Sequence, residues 1–285
     1  MTGHYVKGAR PAMPRARRDP VRGSSHTAAC QRDHNRRTLS QNFLRGSSAV
    51  RLYLSMVALE VDSLVLEVGA GDGAITEVVA PMCRELRAYE IDPFHARKLE
   101  ARLGHYPNVR VVVGDFLAAK PPRERFAVIG NVPFSITSQV INWCLTAPAL
   151  STATIITQLE YAKKRTGGYG RWSLRTIETW PWFSWELRGL IPRHEFRPAP
   201  RIDGAVLYLA RRDRPLVPPA RRAAYGRMVE LGFGGVGGSL YQSLARRHPT
   251  GKVAAAFREA GVDRDAVVAY VTPEEWLRIF ELLSR

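Results

Sequence analysis

The 285-residue chain is predicted to adopt a doubly wound α/β fold, on three observations. Short apolar runs alternate with amphipathic helical runs from Leu64 to Gly130. The first such run ends in a glycine-rich turn. The polar residues of chemical interest then fall at strand ends, where open α/β sheets bind their ligands.

Taken in order, residues 1–35 are rich in Arg, Pro, Gly, Ser and His and have no apolar period. They read as a disordered basic arm. Ser47 to Leu59 places apolar residues at helical spacing, and Leu64 to Val68 is a buried-strand run that ends in glycines. Ile75 to Val79 reads as helix, Leu86 to Ile91 as strand, Pro93 to Leu103 as helix, and Val109 to Val113 and Phe126 to Gly130 as strands. Alternation of this kind implies a parallel sheet covered on both faces. Ser151 to Ala162 reads as a strand passing into a helix, and Trp185 to Ile191 and Ala205 to Ala210 as further strands.

The Arg- and Pro-rich stretch through residues 213–219 reads as a linker, and residues 220–285 as a small helical domain. Within that domain Thr272, Pro273 and Glu275 spell a helix start. The aromatic run Trp180, Trp182, Phe183 and Trp185 reads as core, as do Tyr225, Phe233, Tyr241 and Trp276.

Lys and Arg number 42 against 26 Asp and Glu, a net charge of +16 with pI near 10.4, which favours a polyanionic partner such as nucleic acid. Cys30, Cys83 and Cys144 lie far apart without a CxxC pair, and the seven His residues show no ligand spacing. Neither a metal site nor a disulfide framework is expected. No run approaches the roughly 18 apolar residues of a membrane span. The expectation is a soluble cytoplasmic protein, monomeric and without a membrane or metal partner.

After the first strand comes Glu67-Val68-Gly69-Ala70-Gly71-Asp72-Gly73, in which Gly69 and Gly71 permit a tight turn and a close backbone approach to a ligand. Glu90 ends the second strand, about twenty residues on, where an acidic side chain can accept both hydroxyls of a ribose. Gly114-Asp115-Phe116 ends the third strand. It offers a carboxylate for an adenine amino group and an aromatic or backbone wall beside the ring. These three sites fit a nicotinamide cofactor as well as a methyl donor.

The fourth strand, ending in Gly130-Asn131-Val132-Pro133-Phe134, separates the two. An exocyclic adenine amine is a poor nucleophile because its lone pair is delocalised into the ring. If the Asn131 side-chain carbonyl and a backbone carbonyl of Val132-Pro133 accept its hydrogens, charge building on nitrogen during attack is stabilised. Phe134 would stack on the extruded base. Lys163, Lys164, Arg165 and Arg171 surround a Gly-rich loop and can clamp phosphates.

The string Arg37-Thr38-Leu39-Ser40-Gln41-Asn42-Phe43-Leu44, together with the glycine turn, Glu90, Asp115 and Asn131-Val132-Pro133-Phe134, resembles the ribosomal RNA adenine N6-dimethyltransferases over residues 36–212. Arg165 to Ser173 and Phe196 to Arg201 resemble the erythromycin-resistance (Erm) branch of actinomycete type. The resemblance implies a class I, Rossmann-like methyltransferase domain that uses S-adenosyl-L-methionine and methylates one adenine of 23S ribosomal RNA. The substrate would be free RNA or the assembling large subunit, and the outcome resistance to macrolide-type drugs. It also implies donor contacts at Asn42, Leu44, Gly69, Gly71, Glu90, Ile91, Asp115, Phe116 and Asn131, and base contacts at Asn131 to Phe134. Many relatives have Tyr where Phe134 stands, which puts a phenolic hydrogen bond in doubt but not the π face. Two rivals share these motifs: the housekeeping 16S dimethyltransferase and a non-catalytic RNA-binding relative. The loop Arg165 to Ser173 speaks against the first, and the intact donor motifs against the second.

Overall fold

Seven strands form one sheet in the order β4-β3-β2-β5-β6-β9-β7. These are β2 (Leu64–Val68), β3 (Glu85–Glu90), β4 (Val109–Val113), β5 (Phe126–Asn131), β6 (Leu150–Gln158), β7 (Phe183–Ile191) and β9 (Gly204–Arg211). The computed structural model describes Met1, residues 42–235 and residues 238–285. The N-terminal arm after Met1 and the string Arg37 to Gln41 lie outside the described residues.

Strands β4 through β6 run parallel, and β2 at their centre is buried along its whole length. This is why Leu64 to Val68 reads as a continuous apolar run rather than an alternating one. The expected all-parallel sheet is corrected at its far edge, where β9 lies antiparallel to both β6 and β7. Between Ile191 and Gly204 the chain carries a single 3₁₀ turn and the short β8 (Phe196–Arg197) but no crossover helix, so the next strand returns antiparallel. Strand β8 pairs with β1 (Phe43–Leu44), which ties the segment around Asn42 to Phe196 and Arg197.

Helix α1 (Gly46–Leu54) is shorter than its apolar spacing predicts. The Ser55 hydroxyl donates back to the Leu52 carbonyl, and Met56 and Val57 close tighter i→i+3 turns. Helix α2 (Ala74–Val79) follows the glycine turn. Helix α3 (Pro93–Leu103) starts where its sequence says it should: Pro93 occupies the first turn and the Asp92 carboxylate accepts from the Phe94 amide at 2.8 Å. Helix α4 (Thr137–Thr146) had no such signal: it has no side-chain cap and is rich in β-branched residues. Helix α6 (Leu174–Thr179) is capped, the Ser173 hydroxyl accepting from the Thr176 amide at 3.3 Å, but at a turn and a half it is too short to show a period. Between them lies α5 (Leu159–Thr166).

The last part of the chain is helical: α7 (Arg222–Phe233), α8 (Leu240–Ala245), α9 (Thr250–Ala260) and α10 (Pro273–Leu283). Thr272 and Glu275 form the full capping box that their spacing predicts. These helices share a core with the sheet. One continuous cluster joins Leu207, Trp182 and Trp185 to Tyr225, Trp276 and Phe280. The Tyr225 ring meets Trp182 at 5.8 Å and Phe280 at 5.2 Å, and its hydroxyl donates to the Ile177 carbonyl at 3.0 Å. Trp182, Phe183 and Trp185 are buried as expected, and Phe233 stacks on the fully buried Trp276. Among the described residues no helix is long and apolar enough to cross a membrane.

Trp276 Nε1 has no hydrogen-bond partner, so Trp276→Ala removes packing alone. A loss of about 3–5 kcal/mol is expected. Because the core is continuous, urea unfolding followed by fluorescence and by circular dichroism should give one coincident transition for both the variant and its parent. A separate early transition of the helical part would contradict the shared core.

Candidate active site

The glycine turn after β2 folds against the end of β3. The Gly69 and Ala70 amides both donate to the Tyr89 carbonyl at 3.0 Å, which turns the chain at the sheet edge. The Gly71 amide donates to Glu90 Oε2 at 2.8 Å, and the Asp92 amide to Glu90 Oε1 at 2.9 Å. The Glu90 carboxylate, 1% exposed, is therefore fixed through both oxygens by backbone. Each oxygen retains a lone pair, and that is the arrangement needed to accept two vicinal hydroxyls. Gly71 has φ +56°, and a Cβ there would come within 2.6 Å of the Phe43 ring, so the turn is built for a residue without a side chain.

Across the cleft, β5 ends in a second glycine under constraint. A Cβ on Gly130, at φ +148°, would lie 2.5 Å from the Val68 carbonyl oxygen. Its amide donates at 3.0 Å to the Tyr53 hydroxyl, which itself donates at 2.7 Å to the Thr154 carbonyl. Burial pushes the Tyr53 phenol well above its usual range, keeping it neutral and able to fill both roles. The next side chain, Asn131, donates through Nδ2 to the backbone carbonyl of Asn42. A carbonyl can only accept, so the amide nitrogen must face Asn42, which leaves Oδ1 as an acceptor at the cleft. Asn42, Phe43, Gly69, Glu90, Asn131, Val132, Pro133 and Phe134 line one cleft.

The other candidate residues are placed unequally. Asp115 is exposed at the end of β4, beside Glu90: the Gly114 amide donates to the Glu90 backbone carbonyl, and Asp115 Oδ1 accepts from Leu117. The Phe116 ring is turned into the core, against Tyr89 and Trp143. It forms no aromatic wall, and only its backbone remains for that role. Leu44 is engaged in the β1–β8 pair, and Ile91 is 47% exposed; neither lines the cleft. Lys163, Lys164 and Arg165 lie on α5, which leaves β6 at the edge where Ile156 pairs with Asn131. Lys163 reaches Glu160 at 3.3 Å, Arg165 lies over the Tyr161 ring, and Arg171 is exposed. Phe43, which the residue patterns did not single out, lines the cleft and covers Gly71. Its one signal was its place next to Asn42.

The family model for ribosomal RNA adenine dimethylases matches residues 32–285. The chain belongs to this family. An rRNA adenine N-6-methyltransferase of Streptomyces fradiae is 54% identical over 250 residues, which cover 87% of this chain and 78% of the relative. The mycinamicin-resistance protein MyrB of Micromonospora griseorubida is 32% identical over 87% of this chain and 78% of its own. Among solved structures, the 23S rRNA methyltransferase ErmE superimposes with a TM-score of 0.81 at 48% identity, covering 86% of this chain and all of that one.

Within this dimethylase fold Glu67, on β2 just before the glycine turn, is buried and its Oε2 has no partner. Thr76 Oγ1, buried beside it, also makes no regular hydrogen bond. Desolvation is the main force that pushes the Glu67 carboxyl up to about 8; the nearby Thr76 hydroxyl offsets it and the Glu90 charge adds to it. The ordinary value, near 4.5, applies to the unfolded chain. Between these limits folding takes up a proton, so stability falls as pH rises through the window and levels off above it. Glu67→Gln, which has no charge to bury, should raise the melting temperature relative to the parent at pH 8–9, with the gap shrinking toward pH 4.5. A gap independent of pH would show that Glu67 does not titrate on folding.

Proposed function

We propose that this chain transfers methyl groups from S-adenosyl-L-methionine to N6 of one adenine in 23S ribosomal RNA, and that the modified base obstructs macrolide-type drugs. The observation that carries the reading is the oriented Asn131 amide. With Nδ2 committed to the Asn42 carbonyl, Oδ1 is available to accept a hydrogen from an exocyclic amine at the cleft.

The residues fit the donor. Glu90 would hold the ribose through the lone pairs left on its two fixed oxygens, Gly69 and Gly71 let the backbone approach closely, and Asp115 Oδ2 is available to an adenine amino group. When bound, the donor supplies a methyl group already activated by a sulfonium charge. No side chain therefore has to abstract a proton before attack. Asn131 Oδ1, with a backbone carbonyl of Val132 or Pro133, stabilises positive charge as it grows on N6, and such an acceptor is stronger in a cleft that excludes water. Phe134, half-buried at the rim of the cleft, offers a ring face to the extruded base. Extrusion costs a few kcal/mol and is least for unpaired RNA, which favours free 23S RNA or the assembling subunit as substrate. The net charge of +16 suits that partner. A monomer acting in the cytoplasm meets every requirement of this chemistry.

Labelled-donor transfer to 23S and 16S transcripts, with mass spectrometry of the product, tests the reading. Methyl should appear on one adenine N6 of 23S RNA and not on 16S RNA. Asn131→Ala should lower kcat by roughly 100-fold or more while donor affinity stays near that of the parent. Transfer to 16S RNA alone, or unchanged turnover in the variant, would overturn it.

A further inference from the structure

Tyr169 is 79% exposed, at the tip of the Gly-rich loop after α5, and Tyr270 is 46% exposed, in the turn before α10. Their rings meet edge to face at 4.9 Å. Burial does not explain this pair, and large aromatic rings held in water mark binding surfaces. The loop that carries Tyr169 is anchored. A Cβ on Gly167 would lie 2.2 Å from the Trp172 ring, the Trp172 amide donates to the Ala269 carbonyl, and a Cβ on Gly170 would lie 3.2 Å from Tyr270. Lys164 and Arg171 stand exposed on the same segment.

We propose that Tyr169 and Tyr270 form a stacking platform for an unpaired base of the ribosomal RNA near the target adenine, with Lys164 and Arg171 on the adjoining phosphates. This rests on the functional reading above. Four features favour an RNA base over a protein side chain. The open ring face of Tyr169 suits any base, the surrounding charge is positive, the glycines let a strand come close, and α5 starts at the edge that holds Asn131. The eight residues of α5 span about 12 Å, the rise of three or four stacked nucleotides at about 3.4 Å each. A base held there would fix the strand while its neighbour is drawn out of the stack. The platform therefore acts in binding and register and not in the chemical step.

The test is filter binding of a 23S transcript of the peptidyl-transferase region over a range of salt, together with steady-state transfer. Tyr169→Ala should weaken RNA binding by roughly 5- to 150-fold, the worth of one base–aromatic stack. The loss should fall on KM for RNA, with kcat and donor affinity held. Tyr169→Phe should restore binding, and Tyr270→Ala should act in the same direction as Tyr169→Ala. The slope of log K against log salt should stay at the parent value in the tyrosine variants and drop by about 0.7 in Arg171→Ala. Unchanged RNA affinity in folded Tyr169→Ala, beside a parent that binds and methylates, would overturn the platform and leave the function standing. A shallower salt slope in Tyr169→Ala would overturn stacking as its role. A parent that binds no ribosomal RNA would overturn both readings.

Discussion

The site depends on the close approach of two strands at their carboxyl ends, where Gly130 of β5 sits against the backbone of Val68 in β2. No side chain larger than hydrogen fits there. Because the strands are that close, the glycine turn after Val68 and the Asn131 to Phe134 segment after Gly130 open into one cleft. Gly130 lies one residue past the last pairing of β5 with β2, and Tyr53 reaches in from α1 to take its amide and pass a hydrogen bond on to β6. A few residues earlier the Asn42 carbonyl takes the Asn131 amide. The short segment from Asn42 to Tyr53 thus steadies both the backbone and the side chain at the end of β5, although it contributes only two residues to the sheet pairings.

Four polar side chains around the cleft are held by backbone rather than by opposite charges, whereas Asp72 in the glycine turn meets His95 at 2.7 Å. Glu90 has two amides, Asp92 and Asp115 each accept one, and Asn131 is fixed by a carbonyl. This leaves a site of fixed dipoles with spare acceptors, suited to a neutral amine and to ribose hydroxyls. Residues 42–158, which carry the cleft, hold equal numbers of acidic and basic side chains; the basic excess lies elsewhere, +7 in residues 1–41 and +3 each in residues 159–173, 174–219 and 220–285, where phosphates rather than the reacting base would meet it. On the proposed reading, chemistry and affinity would be carried by different parts of the surface.

Much of this was legible in the sequence. A parallel strand buried on both faces leaves an apolar run, and Leu64 to Val68 can be read to the residue; Val109 to Val113 reads as clearly although it is the edge strand and only half-buried. A capped start such as Asp92-Pro93 or Thr272-Pro273 is equally clear. The cleft residues Gly69, Glu90 and Asn131 to Phe134 were legible because turn chemistry and strand ends coincide there. What escaped was set by tertiary contact. The antiparallel return of β9 depends on a connection that lacks a helix, α4 has no cap, and α1 is cut short by a single serine hydroxyl. Phe116 follows the motif aspartate but spends its ring on Tyr89 and Trp143, and the pairing of Tyr53 with Gly130 spans 77 positions, beyond any local pattern.

The proposed chemistry requires the Asn131 side-chain oxygen, held in place by Asn42, to meet the reacting amine. A crystal structure with S-adenosylhomocysteine and a short RNA carrying the extruded adenine tests it directly. Asn131 Oδ1 should lie about 2.7–3.1 Å from N6, with Nδ2 still on the Asn42 carbonyl. An adenine whose N6 meets another side chain, or an Asn131 that has swung away from Asn42 to reach it, would contradict the account.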